Sequence, residues 1–147
     1  MDMRKVLIAE DDVMIADMIE AVLVAHGYEI CGIATTVAEA IEVARRSPPD
    51  FAVIDHRLAD GDLGTDVANY IHELGHVGVL YATGNVRELM ATAVTGHACI
   101  SKPYSEDDLL RGLEIVSEIV TTGKASPPFP RGFKLMPMHA RSELAVE

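Results

Sequence analysis

Short β-rich runs alternate with helical patterns five times between residues 5 and 121. Each run is mostly apolar, and apolar residues recur at helical spacing in the stretch that follows it. Neighbouring parallel strands need a long crossover of this kind, because a tight turn joins only antiparallel strands. The alternation therefore predicts an α/β fold: a doubly wound, five-stranded parallel sheet with five helices covering both faces. The predicted strands are 5–9, 29–34, 51–55, 77–82 and 98–101, and the predicted helices are 12–26, 36–46, 65–74, 86–95 and 105–121.

Charge divides the chain into an acidic body and a short basic tail. The formal net charge is -11, but residues 1–122 hold 8 basic and 21 acidic side chains, a net of -13. Residues 123–147 hold 4 basic and 2 acidic side chains, a net of +2, with four of the seven prolines. The sequence therefore predicts one domain over 1–122 and a Pro-rich tail that forms no separate domain. Composition alone favours a disordered tail, and a tail that packs against the body is the alternative.

The acid excess also bounds the classes of partner. An acidic body repels nucleic-acid phosphates and anionic lipids, so we expect no DNA-binding domain and no membrane binding. No apolar run reaches the roughly 18 residues that a membrane span needs, and the N-terminus lacks a signal-peptide pattern. Cys31 and Cys99 lie far apart in apolar contexts, which indicates buried thiols and no disulfide. These features predict a cytoplasmic protein.

Polar residues follow four of the predicted strands at the ends where ligands bind in such folds. Glu10 and Asp11 follow the first strand, Asp55 ends the third, Thr83 follows the fourth and Lys102 the fifth. Any one acid alone is explained as well by a helix start. Carboxylates gathered at one edge would disfavour one another's ionisation unless a cation compensated them, and Mg²⁺ suits oxygen ligands. Such a set predicts phosphoryl chemistry, with an aspartate as nucleophile.

These motifs, in this order, resemble the receiver domain of two-component response regulators over residues 4–122. The matching segments are 6–12 (VLIAEDD), 54–55 with Gly61 and Gly64 downstream, 81–84 (YATG) and 101–104 (SKPY). The resemblance implies a flavodoxin-like sheet order, 2-1-3-4-5. It also implies a single-domain response regulator, a phosphoacceptor and not an enzyme, that switches protein–protein contacts with an unknown downstream protein.

The resemblance implies which residues accept the phosphoryl group and hold the metal. Asp55 would accept the group from the phosphohistidine of a sensor histidine kinase or phosphotransfer protein, in a Mg²⁺-dependent reaction. Asp11 and Asp55 would bind Mg²⁺ directly, Glu10 through water, and Arg57 through its backbone carbonyl. Asp12, the next residue along, is interpreted as the start of the first helix.

The resemblance also implies roles for a threonine, a lysine and a proline, and it fails at one position nearby. Thr83 and Lys102 would contact the phosphoryl group, and Pro103 would follow the lysine through a cis peptide bond. Most receivers carry an aromatic residue three positions before this lysine, where this sequence has Cys99. That substitution leaves open a degenerate receiver, which would bind partners without phosphorylation.

The residue two positions after Asp55 bears on two further hypotheses. Haloacid-dehalogenase-type phosphatases also use an aspartate after a strand with Mg²⁺, but they need an acid at this position, where this sequence has Arg57. This argues against an enzyme. In receivers, the positions of Arg57 and Asn85 tend to set the lifetime of the phosphoryl group. We hypothesise that Arg57 shields the acyl phosphate from water.

The resemblance also implies an output surface. Receivers commonly form homodimers or bind partners through the fourth helix, fifth strand and fifth helix. Leu89, Met90 and Val94 would supply an apolar patch there, although packing in the core explains them equally well. A tail packed against the body would cover this face and be displaced on phosphorylation.

Overall fold

The structure, a computed structural model, describes residues 4–93 and 95–136. Its strands are β1 Arg4–Ala9, β2 Tyr28–Ala34, β3 Phe51–Asp55, β4 Gly78–Thr83, β5 Ala98–Ser101 and β6 Phe133–Leu135. Its helices are α1 Val13–Ala25, α2 Val37–Arg46, α3 Gly64–His72, α4 Val86–Thr92 and α5 Glu106–Thr122. None of the helices described is long and apolar enough to cross a membrane. Val94 of the predicted patch and residues 137–147 of the predicted tail lie outside the described residues.

The strands form one six-stranded sheet in the order β2-β1-β3-β4-β5-β6. The first five pair in parallel, and β6 pairs antiparallel with β5. The predicted α/β class, the five parallel strands and their order 2-1-3-4-5 are therefore confirmed. The sixth strand is an addition to the predicted sheet.

Helices cover both faces of the sheet because neighbouring strand residues point to opposite sides. In β1, Leu7 packs in the cluster formed with α2, α3 and α4, whereas Ile8 packs in the cluster formed with α1 and α5. Both side chains are fully buried. The two clusters fix the sheet between two helical layers, so the loops at the carboxyl ends of the strands are held by a rigid frame.

Local sequence signals set the helix starts near the site. Asp12 caps α1: its Oδ1 accepts hydrogen bonds from the backbone N–H of Met14 at 3.0 Å and of Ile15 at 3.3 Å. The interpretation of Asp12 as a helix start is thus confirmed. Ser105 caps α5 in the same way through the N–H of Asp108, at 3.1 Å. These caps satisfy backbone donors that a helix leaves free.

The first part of the tail is ordered on the body, contrary to the expectation from composition. Residues 124–136, which we call the strap, leave α5 and return along β5, where 133–135 become β6. Composition reflects the prolines and charges of the tail, but it carries no information that β5 would be an edge strand in a five-stranded sheet. An edge strand offers unpaired N–H and C=O groups, and β6 satisfies them.

Candidate functional site

The carboxyl ends of β1, β3 and β5 bring three carboxylates and one ammonium group together. Glu10, Asp11 and Asp55 each place a carboxylate oxygen within 4.8 Å of the others. Lys102 Nζ donates hydrogen bonds to Asp55 Oδ2 at 2.9 Å and to Glu10 Oε1 at 3.1 Å. Lys102 and Glu10 meet across 92 residues of sequence because parallel strands end at one edge of the sheet.

Burial makes this cluster electrostatically unusual. Glu10 is 2% exposed. Burial, supported by the nearby Asp55, raises the pKa of Glu10 to about 7, although a backbone hydrogen bond from Asp12 and the charge of Lys102 oppose the shift. Burial lowers the pKa of Lys102, but hydrogen bonds and charge from Asp55 and Glu10 outweigh it and raise that pKa above its ordinary value. Three acids against one ammonium leave a site that a divalent cation would complement.

Thr83 and Lys102 are held side by side by the pairing of β4 with β5. Thr83 pairs in register with Ser101, and the backbone N–H of Lys102 donates to the Thr83 carbonyl at 2.8 Å. Thr83 is 3% exposed, and its Oγ1 accepts a hydrogen bond from the N–H of Asn85 at 3.0 Å. The Lys102–Pro103 peptide bond is cis, as the resemblance implies.

The loop after β3 wraps closely around Asp55. The N–H of Arg57 donates to Asp55 Oδ1 at 3.4 Å, and the N–H of Gly64 donates to the His56 carbonyl at 2.7 Å. A Cβ atom on Gly64 would lie 2.1 Å from the backbone oxygen of Asp55, so only glycine allows this approach. Gly64, the second of the two glycines in the motif, therefore has a steric role beside Asp55.

That the backbone carbonyl of Arg57 binds a metal ion stays a prediction.

Sequence reasoning missed the acidic partner of Arg57. The Arg57 guanidinium forms an ion pair with Glu88 Oε2 on the first turn of α4. On the other carboxylate oxygen, His56 Nε2 lies 3.6 Å from Glu88 Oε1, and His56 is 3% exposed. In the sequence, Glu88 is noticeable only as an acid in the first turn of a predicted helix. The helix dipole favours an acid there, so that position does not indicate a basic partner.

Cys99, where most receivers have an aromatic residue, lies in the core. It is fully buried and pairs in register with Tyr81, which is also fully buried. Burial raises the pKa of the Cys99 thiol, which disfavours the reactive thiolate form. The Tyr81 hydroxyl donates to the Thr95 carbonyl at 2.7 Å. An aromatic ring is therefore already turned inward from β4, beside the position that lacks one on β5.

The comparison with family sequence models decides the assignment. The model of the response regulator receiver domain matches residues 6–122, which include all of the cluster residues. The chain belongs to this family. The receiver domain is a phosphoacceptor, and receiver domains bind Mg²⁺ at an acidic pocket; this chain has an acidic cluster of Glu10, Asp11 and Asp55.

Individual relatives support the same family. The transcriptional regulatory protein PdtaR of Mycobacterium tuberculosis is 33% identical over 115 residues, 76% of this chain and 56% of the relative. The chain thus spans about half the length of this curated relative. The receiver domain of the PhyR response regulator from Erythrobacter litoralis superposes with a TM-score of 0.69 at 25% identity, covering 87% of this chain and 97% of that one. A CheY-like receiver domain from Methanospirillum hungatei JF-1 superposes with a TM-score of 0.66 at 29% identity, covering 80% of this chain and 96% of that one.

Proposed function

We propose that this receiver accepts a phosphoryl group on Asp55 from the phosphohistidine of a sensor histidine kinase or phosphotransfer protein, and that the reaction depends on Mg²⁺. The observation that carries the proposal is Lys102 Nζ, which bridges Asp55 and Glu10 inside the carboxylate cluster. A structural ion pair would need one carboxylate. A second and a third carboxylate at the same edge repel the first and cost stability unless a further cation compensates them.

Asp55 would act as the nucleophile. One carboxylate oxygen forms a bond to phosphorus while the bond between phosphorus and the histidine nitrogen breaks. The bonding electron pair leaves with the imidazole, and the product on Asp55 is an acyl phosphate. The Asp55 side chain is 12% exposed, so a donor reaches it from one side only.

The residues around Asp55 fit a Mg²⁺ site. Asp11 and Asp55 would bind the ion directly, Glu10 through water, and Arg57 through its backbone carbonyl. When bound, the ion supplies positive charge to the phosphoryl oxygens. Asp11 is exposed to solvent and Glu10 is buried, so an ion in this cluster would contact water on the side of Asp11 and protein on the side of Glu10.

Lys102 and Thr83 would hold the phosphoryl group after transfer. The ammonium is already within hydrogen-bond distance of Asp55, so a short shift of the lysine tip brings it to a phosphoryl oxygen. Thr83 would donate its hydroxyl to a second oxygen. Donors held close to the developing charge stabilise it more than bulk water does, because the site is partly shielded from solvent.

The surface beside the site suits a protein donor. Met14 and Val13, at the start of α1, are 82% and 65% exposed, although apolar side chains usually avoid water. Next to them a cavity of about 400 Å³ is lined by Ile15, Met18 and residues 102–104. A donor histidine that reaches Asp55 brings its own surface against this apolar region. We therefore place the phosphodonor protein on the start of α1.

Phosphorylation would change protein–protein contacts on the face formed by α4, β5 and α5. A homodimer of this chain through that face is one such contact. Leu89 is fully buried and belongs to the core, whereas Met90 is only partly buried and lines a groove between α4 and β6. Because β6 already pairs with β5, a partner uses the surfaces beside the strap or displaces it. No DNA-binding domain accompanies the receiver within the residues that the structure describes.

Intact-mass measurement tests the proposal directly. The protein is incubated with Mg²⁺ and acetyl phosphate, and we expect one added phosphoryl group per chain. Asp55→Asn should gain none, and a chelator should abolish the reaction of the wild type. Asp60→Asn is the matched control, because Asp60 is an exposed aspartate on the same loop and should leave phosphorylation unchanged.

The same measurement separates the alternatives. A wild type that gains no phosphoryl group from acetyl phosphate or from any phosphohistidine donor would favour the degenerate receiver. Phosphorylation retained in Asp55→Asn would place the acceptor elsewhere.

A further inference from the structure

The strap is a built-in strand ligand of the receiver. In β6, Lys134 pairs in register with Cys99 and Phe133 with Ile100. Beyond β6, the N–H of Met136 donates to the His97 carbonyl at 3.0 Å. The strap thereby extends the sheet past β5 and takes the edge that a second strand from a partner would need.

Side chains of the strap anchor it on both faces of the sheet. Met136 is 2% exposed and belongs to the cluster under α2, α3 and α4. Phe133 packs against the opposite cluster, under α1 and α5, and stacks on Phe129 with ring centroids 5.8 Å apart. Gly112, inside α5, lies against the Phe133 ring and Leu80: a Cβ atom there would be 3.8 Å from the ring, an ordinary contact, and 3.3 Å from Leu80, a tighter one.

Helix α5 holds the start of the strap by polar contacts. Arg111 donates from Nε to the Pro128 carbonyl at 2.9 Å and from Nη2 to the Ser126 carbonyl at 2.6 Å. Glu118 Oε1 accepts from the Ser126 hydroxyl at 2.8 Å and from its N–H at 3.1 Å. These contacts recognise backbone groups as well as side chains, so they specify the path of the strap and not only its charge.

The strap touches the sheet one residue away from Lys102. The N–H of Ser101 donates to the Gly132 carbonyl at 3.1 Å, while Ser101 itself pairs in register with Thr83. A Cβ atom on Gly132 would lie 2.3 Å from Ser101 Oγ, and Gly132 has φ +80°. The side chain at position 132 is therefore restricted to hydrogen, and a shift of the Ser101 backbone stretches or breaks its hydrogen bond to Gly132.

We propose that docking of the strap and phosphorylation of Asp55 oppose each other through the contact between Ser101 and Gly132. The inference rests on the proposed function. Thr83 pairs in register with Ser101 and Lys102 follows it in sequence, so any adjustment of either residue towards a phosphoryl group bears on the hydrogen bond between Ser101 and Gly132. Coupling between two sites is reciprocal, so a locked strap disfavours phosphorylation and a released strap favours it. The receiver therefore carries its own inhibitory strand on the output face.

A disulfide across β5 and β6 tests the coupling in the full chain. Paired antiparallel residues have Cα atoms about 4.5–5.5 Å apart, within the range of a disulfide, so Lys134→Cys would bridge to the native Cys99. Cys31→Ser removes the other thiol. With acetyl phosphate and Mg²⁺, we expect the oxidised form to be phosphorylated about fivefold more slowly than its reduced form, within the usual range of such couplings. The matched control, Lys134→Cys with Cys99→Ser, should not respond to oxidant.

A second variant tests the released direction without a disulfide. Arg111→Ala removes two hydrogen bonds to the strap, so hydrogen exchange at Phe133 and Met136 should become faster and phosphorylation should speed up by a few-fold. Arg45→Ala, an exposed arginine on α2, is the control and should change neither. Faster exchange with an unchanged phosphorylation rate would overturn the coupling, as would equal rates in the oxidised and reduced forms.

The outcomes distinguish this inference from the proposed function. A wild type that is phosphorylated, with locked and reduced forms that react equally, overturns the inference alone. A wild type that is never phosphorylated overturns both, even where hydrogen exchange shows a docked strap. A locked form that reacts more slowly and recovers on reduction supports both.

Discussion

At the scale of single residues, Arg57 shows how tertiary contacts redefine a side chain. Its exposed position two residues after Asp55 suggested a shield over the acceptor, but its guanidinium is held by Glu88 on α4. The side chain is still 68% exposed, and exposed ion pairs are worth only about 0–1 kcal/mol. A phosphoryl group on Asp55 carries more charge than Glu88, so it would compete for Arg57.

We expect Arg57→Ala to lose its phosphoryl group several-fold faster than the wild type. The substitution removes the cation that would cover the acyl phosphate and keeps the backbone carbonyl that is predicted to bind Mg²⁺. The measurement is the decay of the phosphorylated mass after the donor is removed. Glu88→Gln is the matched variant: it frees Arg57 without removing it, so decay should be equal or slower. Equal or slower decay in Arg57→Ala would contradict the shielding hypothesis.

At the scale of elements, the sequence located the strands and helices better than their ends. The fourth helix was predicted over 86–95, but α4 ends at Thr92 because Ala93 is extended, with ψ 133°. The hydroxyl of Thr92 donates to the Glu88 carbonyl at 3.1 Å, one turn back along the helix. Periodicity indicates which side chains face the core, whereas backbone torsions and local hydrogen bonds decide where a helix ends.

The exposed apolar residues at the start of α1 can be tested as the contact surface for the phosphodonor protein. Met14→Glu places a charge in the apolar surface proposed to contact the phosphodonor protein. We expect phosphoryl transfer from a phosphohistidine protein that phosphorylates the wild type to slow about tenfold or more, since an unpaired charge at an interface costs more than 1 kcal/mol. Transfer from acetyl phosphate should not change, because this donor is too small to contact α1 and Asp55 together.

The control for Met14→Glu lies at the opposite end of the sheet. Leu74 follows α3 and is 46% exposed, so Leu74→Glu adds the same charge to an exposed apolar residue far from Asp55. It should leave both donors unaffected. Equal slowing with acetyl phosphate in Met14→Glu would show damage to the site and would argue against a docking role for α1.

At the scale of the whole molecule, the carboxylate cluster makes stability depend on pH. The pKa of Glu10 is raised to about 7 in the folded protein from an ordinary value of 4.5, chiefly by burial. Between these values the folded state holds a proton that the unfolded state has released. The free energy of unfolding therefore falls as pH rises through this window.

We expect Glu10→Gln to remove this fall. In chelator, the wild type should lose on the order of 1 to 3 kcal/mol of unfolding free energy between pH 4.5 and 7 from this group, and the variant should not. Denaturant titrations across the window measure the difference, with Glu20→Gln on α1 as the matched control. Mg²⁺ should flatten the wild-type profile, because the ion compensates the ionised carboxylate. Parallel profiles for wild type and Glu10→Gln would contradict the prediction.

The sequence by itself determined the alternation of strands and helices and the residues at the strand ends. Both are local: periodicity predicts each element, and parallel strands then bring Glu10, Asp55, Thr83 and Lys102 to one edge whatever the details of packing. The resemblance to receivers assigned roles to these residues on the same motifs.

Only the tertiary structure decided what lies around that edge. The ion pair of Arg57 with Glu88, the burial of Glu10 and the path of the strap along β5 join segments far apart in sequence, and no local pattern encodes their meeting. The strap is the clearest case. Its composition predicted disorder, yet pairing with an edge strand, packing of Phe133 and burial of Met136 order it on the receiver, because these contacts depend on β5 and α5, which no local pattern in the strap encodes.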